Sequence, residues 1–147
     1  MWGKNGCGGR GCFISIKRNK RSYITYEEAC RLAEEDETYV ILDMRRGQAV
    51  FHGPHDSVGL PGRLVKLLRY LLEDAPKVKR YDAILSNVWE DKDTVKKMIN
   101  KLRKKLEQCF SEPADQIIVN VRGEGYVWNC KIPYRIIVCL DEYEYFT

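Results

Sequence analysis

The sequence lacks the apolar runs that a membrane span or a secretory signal requires. Its longest apolar run, residues 136–140, is only of strand length, whereas a spanning helix needs about 20 apolar residues. The N-terminus also has no hydrophobic segment of the kind found in a signal peptide. We therefore expect a cytoplasmic protein without a membrane partner.

Side chains suited to catalysis or metal binding are scarce too. The only histidines, His52 and His55, flank a Gly-Pro pair, and no third ligand stands nearby. Cys7 and Cys12 do not have CxxC spacing and no second pair follows, which argues against a zinc motif but leaves a redox disulfide open. We find no nucleophile–base pair, phosphate-binding glycine loop or carboxylate pair in a credible context. We expect neither an enzyme nor a cofactor or metal.

The composition fits one folded domain with extensions. The chain has 147 residues, of which 44% are hydrophobic and 11% aromatic, enough for a core. The net charge of +4 is a weak indication of a nucleic-acid partner, but its distribution is uneven. Residues 1–22 contain no acid, and positive charge is also concentrated in residues 63–80 and 92–105, whereas residues 27–37 are acidic.

Hydrophobic periodicity predicts strands first, then three helices and a hairpin. A capping box, Thr25 with Glu28, marks the start of an earlier short helix. The predicted strands cover residues 12–17, 39–44, 48–52, 117–121, 126–130 and 134–140. The predicted helices cover residues 26–35, 63–73, 81–89 and 93–108. We divide the chain into a basic, Gly-rich extension with a short helix (1–37), a central domain (38–130) and a C-terminal strand with an acidic tail (131–147).

The most informative feature is the segment 93–106 together with a bend around Arg122. On a helix, five apolar residues of this segment fall on one arc about 100° wide. Lys97, Asn100, Lys101 and Lys104 stand on the opposite side. About a dozen residues later, Arg122 lies in a glycine-flanked bend between two β-rich runs, and its glycine neighbours would permit a tight turn and close approach to DNA. A basic-faced helix followed by a basic-tipped hairpin is what a winged helix needs to grip duplex DNA, although each could also be a merely solvated surface.

Residues 39–130 resemble the OmpR/PhoB-type winged-helix effector domain, the C-terminal DNA-binding half of many bacterial response regulators. Four stretches carry the resemblance: the leucines of 60–72, the apolar residues of 84–89, the helix 94–106 and the wing 121–126. The resemblance implies an α+β fold, a winged helix-turn-helix with an N-terminal antiparallel sheet of four strands, a three-helix core and a C-terminal β-hairpin wing.

The resemblance also implies which residues contact DNA. The third helix would enter the major groove, where Lys97 and Lys101 would meet base edges or nearby phosphates. Asn100 and Arg103 would lie near the phosphate backbone, and Arg122 would insert in the adjacent minor groove. The full set of expected DNA-binding residues is Trp89, Thr94, Lys96, Lys97, Asn100, Lys101, Arg103, Lys104, Asn120, Arg122 and Tyr126. Within it, Trp89 and Tyr126 would pack against phosphates, with Trp89 first a core residue.

Some positions depart from the family pattern. Asp93 stands where members carry an arginine, and it would repel a phosphate. Asn120 replaces a threonine but can still donate a hydrogen bond to phosphate. The second helix opens with Arg80-Tyr81 instead of Ser-Arg, so the expected N-cap is missing. The loop 90–93 is short, and because this loop contacts RNA polymerase in relatives, that partner is uncertain.

These observations predict a cytoplasmic, sequence-specific regulator of transcription that binds double-stranded DNA. Too few residues precede the first predicted strand of the domain to hold a phosphorylated receiver, so we expect control without one. Family members bind tandem half-sites as dimers, which suggests a homodimer on DNA. Two other functions stay open: a winged helix used as a protein-interaction or assembly module, and an architectural protein that binds DNA without sequence choice.

Overall fold

The computed structural model describes residues 13–17, 20–35, 39–45, 48–73, 75, 77–87 and 92–139. The strands are β1 (Phe13–Lys17), β2 (Lys20–Ile24), β3 (Val40–Met44), β4 (Ala49–His52), β5 (Ser57–Leu60), β6 (Lys79–Arg80), β7 (Ile118–Val121), β8 (Gly125–Trp128) and β9 (Tyr134–Cys139). The helices are α1 (Tyr26–Glu35), α2 (Gly62–Glu73), α3 (Tyr81–Asn87), α4 (Lys92–Leu106) and α5 (Ala114–Ile117). A 3₁₀ turn, Glu107–Cys109, extends α4. None of the described helices is long and apolar enough to span a bilayer.

Six strands form the larger sheet, in the order β2-β1-β9-β3-β4-β5. Neighbouring strands are antiparallel except for β3 and β9, which run parallel from the pair Val40–Tyr134 to the pair Met44–Val138. The expected four-stranded antiparallel sheet is therefore corrected to a six-stranded mixed one. The reason is β9, a C-terminal strand that is apolar on both faces and therefore inserts in the middle of the sheet.

The two faces of this sheet bury different residues. Leu42 and Ile136 lie in the main core with the three central helices, whereas Ile41 and Ile137 lie in a second cluster under α1. Successive residues of a strand point to opposite faces of the sheet, so β3 and β9 contribute to both clusters. In this way β9 joins the two halves of the core.

The N-cap hydrogen bond of the predicted capping box at the start of α1 is confirmed. The backbone N–H of Glu28 donates to Thr25 Oγ1 at 3.1 Å, and the Thr25 hydroxyl lies 3.3 Å from a carboxylate oxygen of Glu28. A side-chain oxygen at this position satisfies one of the N–H groups that a helix start leaves unpaired. The cap fixes α1 so that Ala29, which is fully buried, faces the second cluster.

The central part of the chain confirms the predicted fold class. Helix α2 buries an unbroken leucine face, α4 packs against both α2 and α3, and the hairpin β7–β8 follows as the wing. This is an α+β winged helix-turn-helix. Short β6 pairs with β8 and makes the wing three-stranded.

Four elements were not predicted from the sequence. Strand β2 covers residues 20–24, within the basic N-terminal extension, and β5 and β6 lie in segments where no strand was predicted. The one-turn helix α5 was missed as well. The division of the chain into residues 1–37, 38–130 and 131–147 stays a prediction. Strands from all three of these segments belong to the larger sheet. Cys7 and Cys12 lie outside the described residues.

Candidate nucleic-acid interface

Helix α4 has one buried face and one strongly basic face. Ile99 and Leu102 are fully buried, and Val95, Met98 and Leu106 are nearly so. The basic face is formed by exposed side chains, namely Lys96, Lys97, Asn100, Lys101, Lys104 and Lys105. Because the buried residues recur every three or four positions, packing against α2 and α3 turns all the exposed lysines outward. No acidic residue interrupts the sequence between Val95 and Leu106.

The tip of the wing presents Arg122 to solvent. Arg122, Gly123 and Glu124 form the turn between β7 and β8, closed by a hydrogen bond from the Glu124 N–H to the Val121 carbonyl at 2.9 Å. Gly123 has a φ of 77°, in the left-handed region that glycine adopts without strain. Glycine is thus required for the turn itself, as the sequence suggested.

Gly125 has a packing role that the sequence did not reveal. A Cβ at Gly125 would overlap the carbonyl oxygen of Lys79 and lie 2.8 Å from the Arg80 Cα. Gly125 is therefore needed because β6 packs directly against the wing backbone. The expected close approach of the wing glycines to DNA stays a prediction.

Arg103 joins α4 to the base of the wing. Its Nε and Nη2 donate to the Ile118 carbonyl at 3.0 and 2.6 Å, and its guanidinium lies 5.7 Å from the centre of the Tyr126 ring. Nη1 is 3.4 Å from Asn100 Oδ1. The structure thus gives Arg103 a structural function, and its expected position near the DNA backbone stays a prediction.

Tyr126 is placed differently from the expectation. We had expected its ring to pack against phosphates, but the side chain is only 4% exposed. It makes an edge-to-face contact with Tyr81, with ring centres 5.5 Å apart, and burial is the main cause that raises its pKa. A ring enclosed between Tyr81 and Arg103 supports the interface from beneath and leaves little surface for a phosphate.

Asn120 is exposed on β7 and is held by a residue that the sequence did not single out. The Tyr81 hydroxyl donates to Asn120 Oδ1 at 2.7 Å, and the backbone N–H of Tyr81 donates to the Glu124 carbonyl at 3.2 Å. The two side chains are 39 positions apart, so no local pattern reveals the contact. Arg80, beside Tyr81, is likewise an exposed cation next to the wing that we had not included.

The expected residues therefore fall into three groups. Those exposed on α4 or the wing are Lys96, Lys97, Asn100, Lys101, Lys104, Asn120 and Arg122. Arg103 and Tyr126 connect the helix to the wing. Trp89 lies outside the described residues, and so does the side chain of Thr94, whose backbone belongs to α4.

Outside this surface, the polar side chains that the structure describes do not form a catalytic arrangement. Ser57 Oγ lies 2.7 Å from His52 Nδ1, but the other ring nitrogen is 4.0 Å from the Asp43 carboxylate, too far for a hydrogen bond. Arg45 binds that carboxylate through two nitrogens, at 2.9 and 2.8 Å. Cys109 is fully buried, and burial is the main cause that raises its pKa to about 11, so its thiol is protonated at neutral pH. Among the described residues, no three side chains form a metal-binding group.

The comparison with known families decides the assignment. Residues 55–128, half of the chain, match the family described as "Transcriptional regulatory protein, C terminal". The chain belongs to this family. Its members are OmpR/PhoB-type effector domains, which bind DNA and are not enzymes. The resemblance to this family and the expectation of a non-enzymatic protein are therefore confirmed.

One curated relative and several solved structures are similar to part of this chain. The transcriptional regulatory protein YvrH of Bacillus subtilis (strain 168) is 38% identical over 76 residues, which are 48% of this chain and 31% of that protein. The chain thus spans less than a third of that relative's length.

Three domains of known structure match the chain in part. The response regulator AdeR domain in complex with an intercistronic region is 27% identical, over 56% of this chain and 86% of its own, with a TM-score of 0.45. The E. coli CadC domain is 23% identical, over 61% and 82%, with a TM-score of 0.48. The C-terminal domain of the nisin resistance regulator NsrR is 24% identical, over 58% and 89%, with a TM-score of 0.49. The assignment rests on the family match.

Proposed function

We propose that this chain binds duplex DNA by placing α4 in the major groove and the Arg122 wing in the adjacent minor groove, and that it regulates transcription. The observation that carries the proposal is the link between the two basic surfaces. Arg103 extends from α4 and binds the Ile118 carbonyl in the first wing strand at 2.6 Å, so the lysine face and Arg122 belong to one rigid surface. An α-helix fits the major groove, and an arginine fits the narrow minor groove.

The charges of this surface define how it would bind. Lys97 and Lys101 are exposed on successive turns of α4, at the spacing that lets both reach one groove. Lysine is a flexible point charge that can meet phosphates and also donate to guanine O6 and N7. Sequence choice should therefore be modest and should depend strongly on salt. Thr94 and Trp89 remain expected contacts.

Several finer points belong to the same proposal. A homodimer on tandem half-sites and a location in the bacterial cytoplasm follow from the family's way of acting on DNA. A contact with RNA polymerase is the least supported, because the loop that makes it in relatives is short here. Control without a phosphorylated receiver stays a prediction.

The salt dependence of binding tests the proposal. Affinity for a mixed-sequence duplex is measured by fluorescence anisotropy across a range of salt concentrations, for the wild type and for Lys97→Ala/Lys101→Ala. The plot of log affinity against log salt has a negative slope, and each lost phosphate contact should make it less steep by about 0.9. The slope of the double variant should therefore be less steep than that of the wild type by about 1.8. The matched control is Lys20→Ala/Lys131→Ala, which removes the same charge from exposed sites in β2 and in the loop after β8 and should leave the slope unchanged.

The outcomes separate the three candidate functions. A wild type that does not bind DNA at low salt would overturn the proposal and favour a protein-interaction module. Equal weakening of the double variant on every sequence, with no site recovered from a random pool, would indicate an architectural DNA binder. Recovery of a short repeated site would support the regulator.

A further inference from the structure

The start of α3 is tied to the wing by contacts from one residue, Tyr81. Its hydroxyl donates to Asn120 Oδ1 at 2.7 Å, and its ring contacts Tyr126 edge to face at 5.5 Å between centres. Its backbone N–H donates to the Glu124 carbonyl at 3.2 Å. Tyr81 is the first residue of α3, and it therefore connects that helix to both strands of the wing and to its turn.

The backbone contact supplies a hydrogen-bond acceptor at the start of α3. The first N–H groups of a helix have no partner within the helix and require an acceptor from elsewhere. The wing carbonyl of Glu124 is that acceptor for Tyr81. The start of α3 and the wing therefore hold each other in place, across a sequence gap of some forty residues.

The side-chain contact determines the direction of the Asn120 amide. A primary amide has one oxygen acceptor and one NH2 group with two donors. Because the oxygen of Asn120 accepts the Tyr81 hydroxyl, the NH2 group is on the other side, on an exposed side chain of β7. Arg103 fixes the same strand from α4 through the Ile118 carbonyl. The donor therefore stands at a fixed place between the basic helix face and the tip of the wing.

We propose that Tyr81 is a positioning residue for DNA binding, which orients the Asn120 NH2 group to donate a hydrogen bond to a phosphate at the base of the wing. This inference rests on the proposed function. The donor is uncharged, which distinguishes it from the lysines of α4. A contact from a neutral group adds affinity without neutralising a phosphate, so it should not change the salt dependence.

The test is a double-mutant cycle with Tyr81→Phe and Asn120→Ala, measured by fluorescence anisotropy at several salt concentrations. Asn120→Ala should weaken binding about tenfold, as expected for a hydrogen bond to a charged group, and Tyr81→Phe about threefold, since only the orientation is lost. Neither should alter the salt slope. In the Asn120→Ala background, Tyr81→Phe should have no further effect. Tyr23→Phe, which removes a hydroxyl from an exposed tyrosine on β2, is the matched control and should bind as the wild type does.

The cycle separates orientation from a purely structural effect. If Tyr81→Phe acted by loosening the wing, it would weaken binding equally with and without Asn120, and such additivity would overturn the inference. A steeper or shallower salt slope in Asn120→Ala would overturn it as well. Either result, with a wild type that binds DNA, leaves the proposed function intact. A wild type that does not bind DNA overturns both.

Discussion

Replacement of Gly125 by alanine should separate the short strand β6 from the wing. The added Cβ would overlap the Lys79 carbonyl oxygen and lie 2.7 Å from the Lys79 carbonyl carbon and 2.8 Å from the Arg80 Cα. Carbon atoms in contact normally lie about 3.5–4.0 Å apart, so β6 must move by roughly 1 Å. All of these atoms belong to the backbone, and no side-chain rotation can relieve the overlap.

The magnitude follows from two contributions. Overpacking of a tight site costs about 1–3 kcal/mol. Strained pairing of Lys79 with Tyr126 and of Arg80 with Gly125 would weaken backbone hydrogen bonds worth about 1 kcal/mol each. We expect Gly125→Ala to lower the free energy of unfolding by about 3 kcal/mol. For a domain of this size that corresponds to a fall in Tm of roughly 6–12 °C.

Two other glycines provide matched controls in the same thermal and urea unfolding experiments. Gly62, at the start of α2, has no atom within 4 Å of an added Cβ, so Gly62→Ala should change the stability by less than about 0.5 kcal/mol. Gly123 also has open space, but its φ of 77° strains any L side chain, and Gly123→Ala should cost about 1 kcal/mol. The expected order of losses is Gly125, Gly123, Gly62. Equal losses at Gly125 and Gly62 would refute the overlap argument.

Four further predictions concern other parts of the fold. Thr25→Ala should lower the free energy of unfolding by about 1 kcal/mol, because the α1 cap is lost, whereas Thr25→Ser should keep the cap and leave this free energy unchanged. An unchanged urea midpoint in Thr25→Ala would contradict the capping role. The Cys109 thiol should resist alkylation in the native chain and react in urea, as mass spectrometry can show. The pKa values of Cys109, Cys130 and Tyr126 are all raised in the folded state. The free energy of unfolding should therefore keep its full value below about pH 9 and fall as the pH rises towards 11. Equal urea midpoints at about pH 8 and about pH 10.5 would contradict this. Arg103→Met should cost about 1–3 kcal/mol by leaving the buried Ile118 carbonyl without its guanidinium partner, and stability equal to the wild type would show that the link is dispensable.

The helices that bury a regular apolar face were predictable from the sequence. Helix α2 was predicted at 63–73 and lies at Gly62–Glu73, and α4 was predicted from residue 93 and begins at Lys92. Both have buried residues every three or four positions, and burial of such a stripe fixes the helix and its direction together. The exposed lysine face of α4 was therefore predictable as well.

The strands at the edge of the sheet gave no such pattern. In β2, residues 20–23 are exposed on both faces and only Ile24 is buried, so no alternation marks it as a strand. It is a strand because residues 13–17 pair with it. β6 is two residues long and depends in the same way on its partner β8. Pairing with a distant segment, rather than local preference, determines these strands.

The sequence by itself determined the helices of the winged-helix core, the turn at Gly123 and the basic surface of α4, because each depends on residues close together along the chain. Only the tertiary structure decided that β9 enters the middle of the sheet, that Tyr126 is buried and that Arg103 links α4 to the wing. It also decided that Tyr81 holds the Asn120 amide. These depend on contacts between residues far apart in sequence, and what selects them is the shared burial of apolar surface and the need of each buried polar group for a partner.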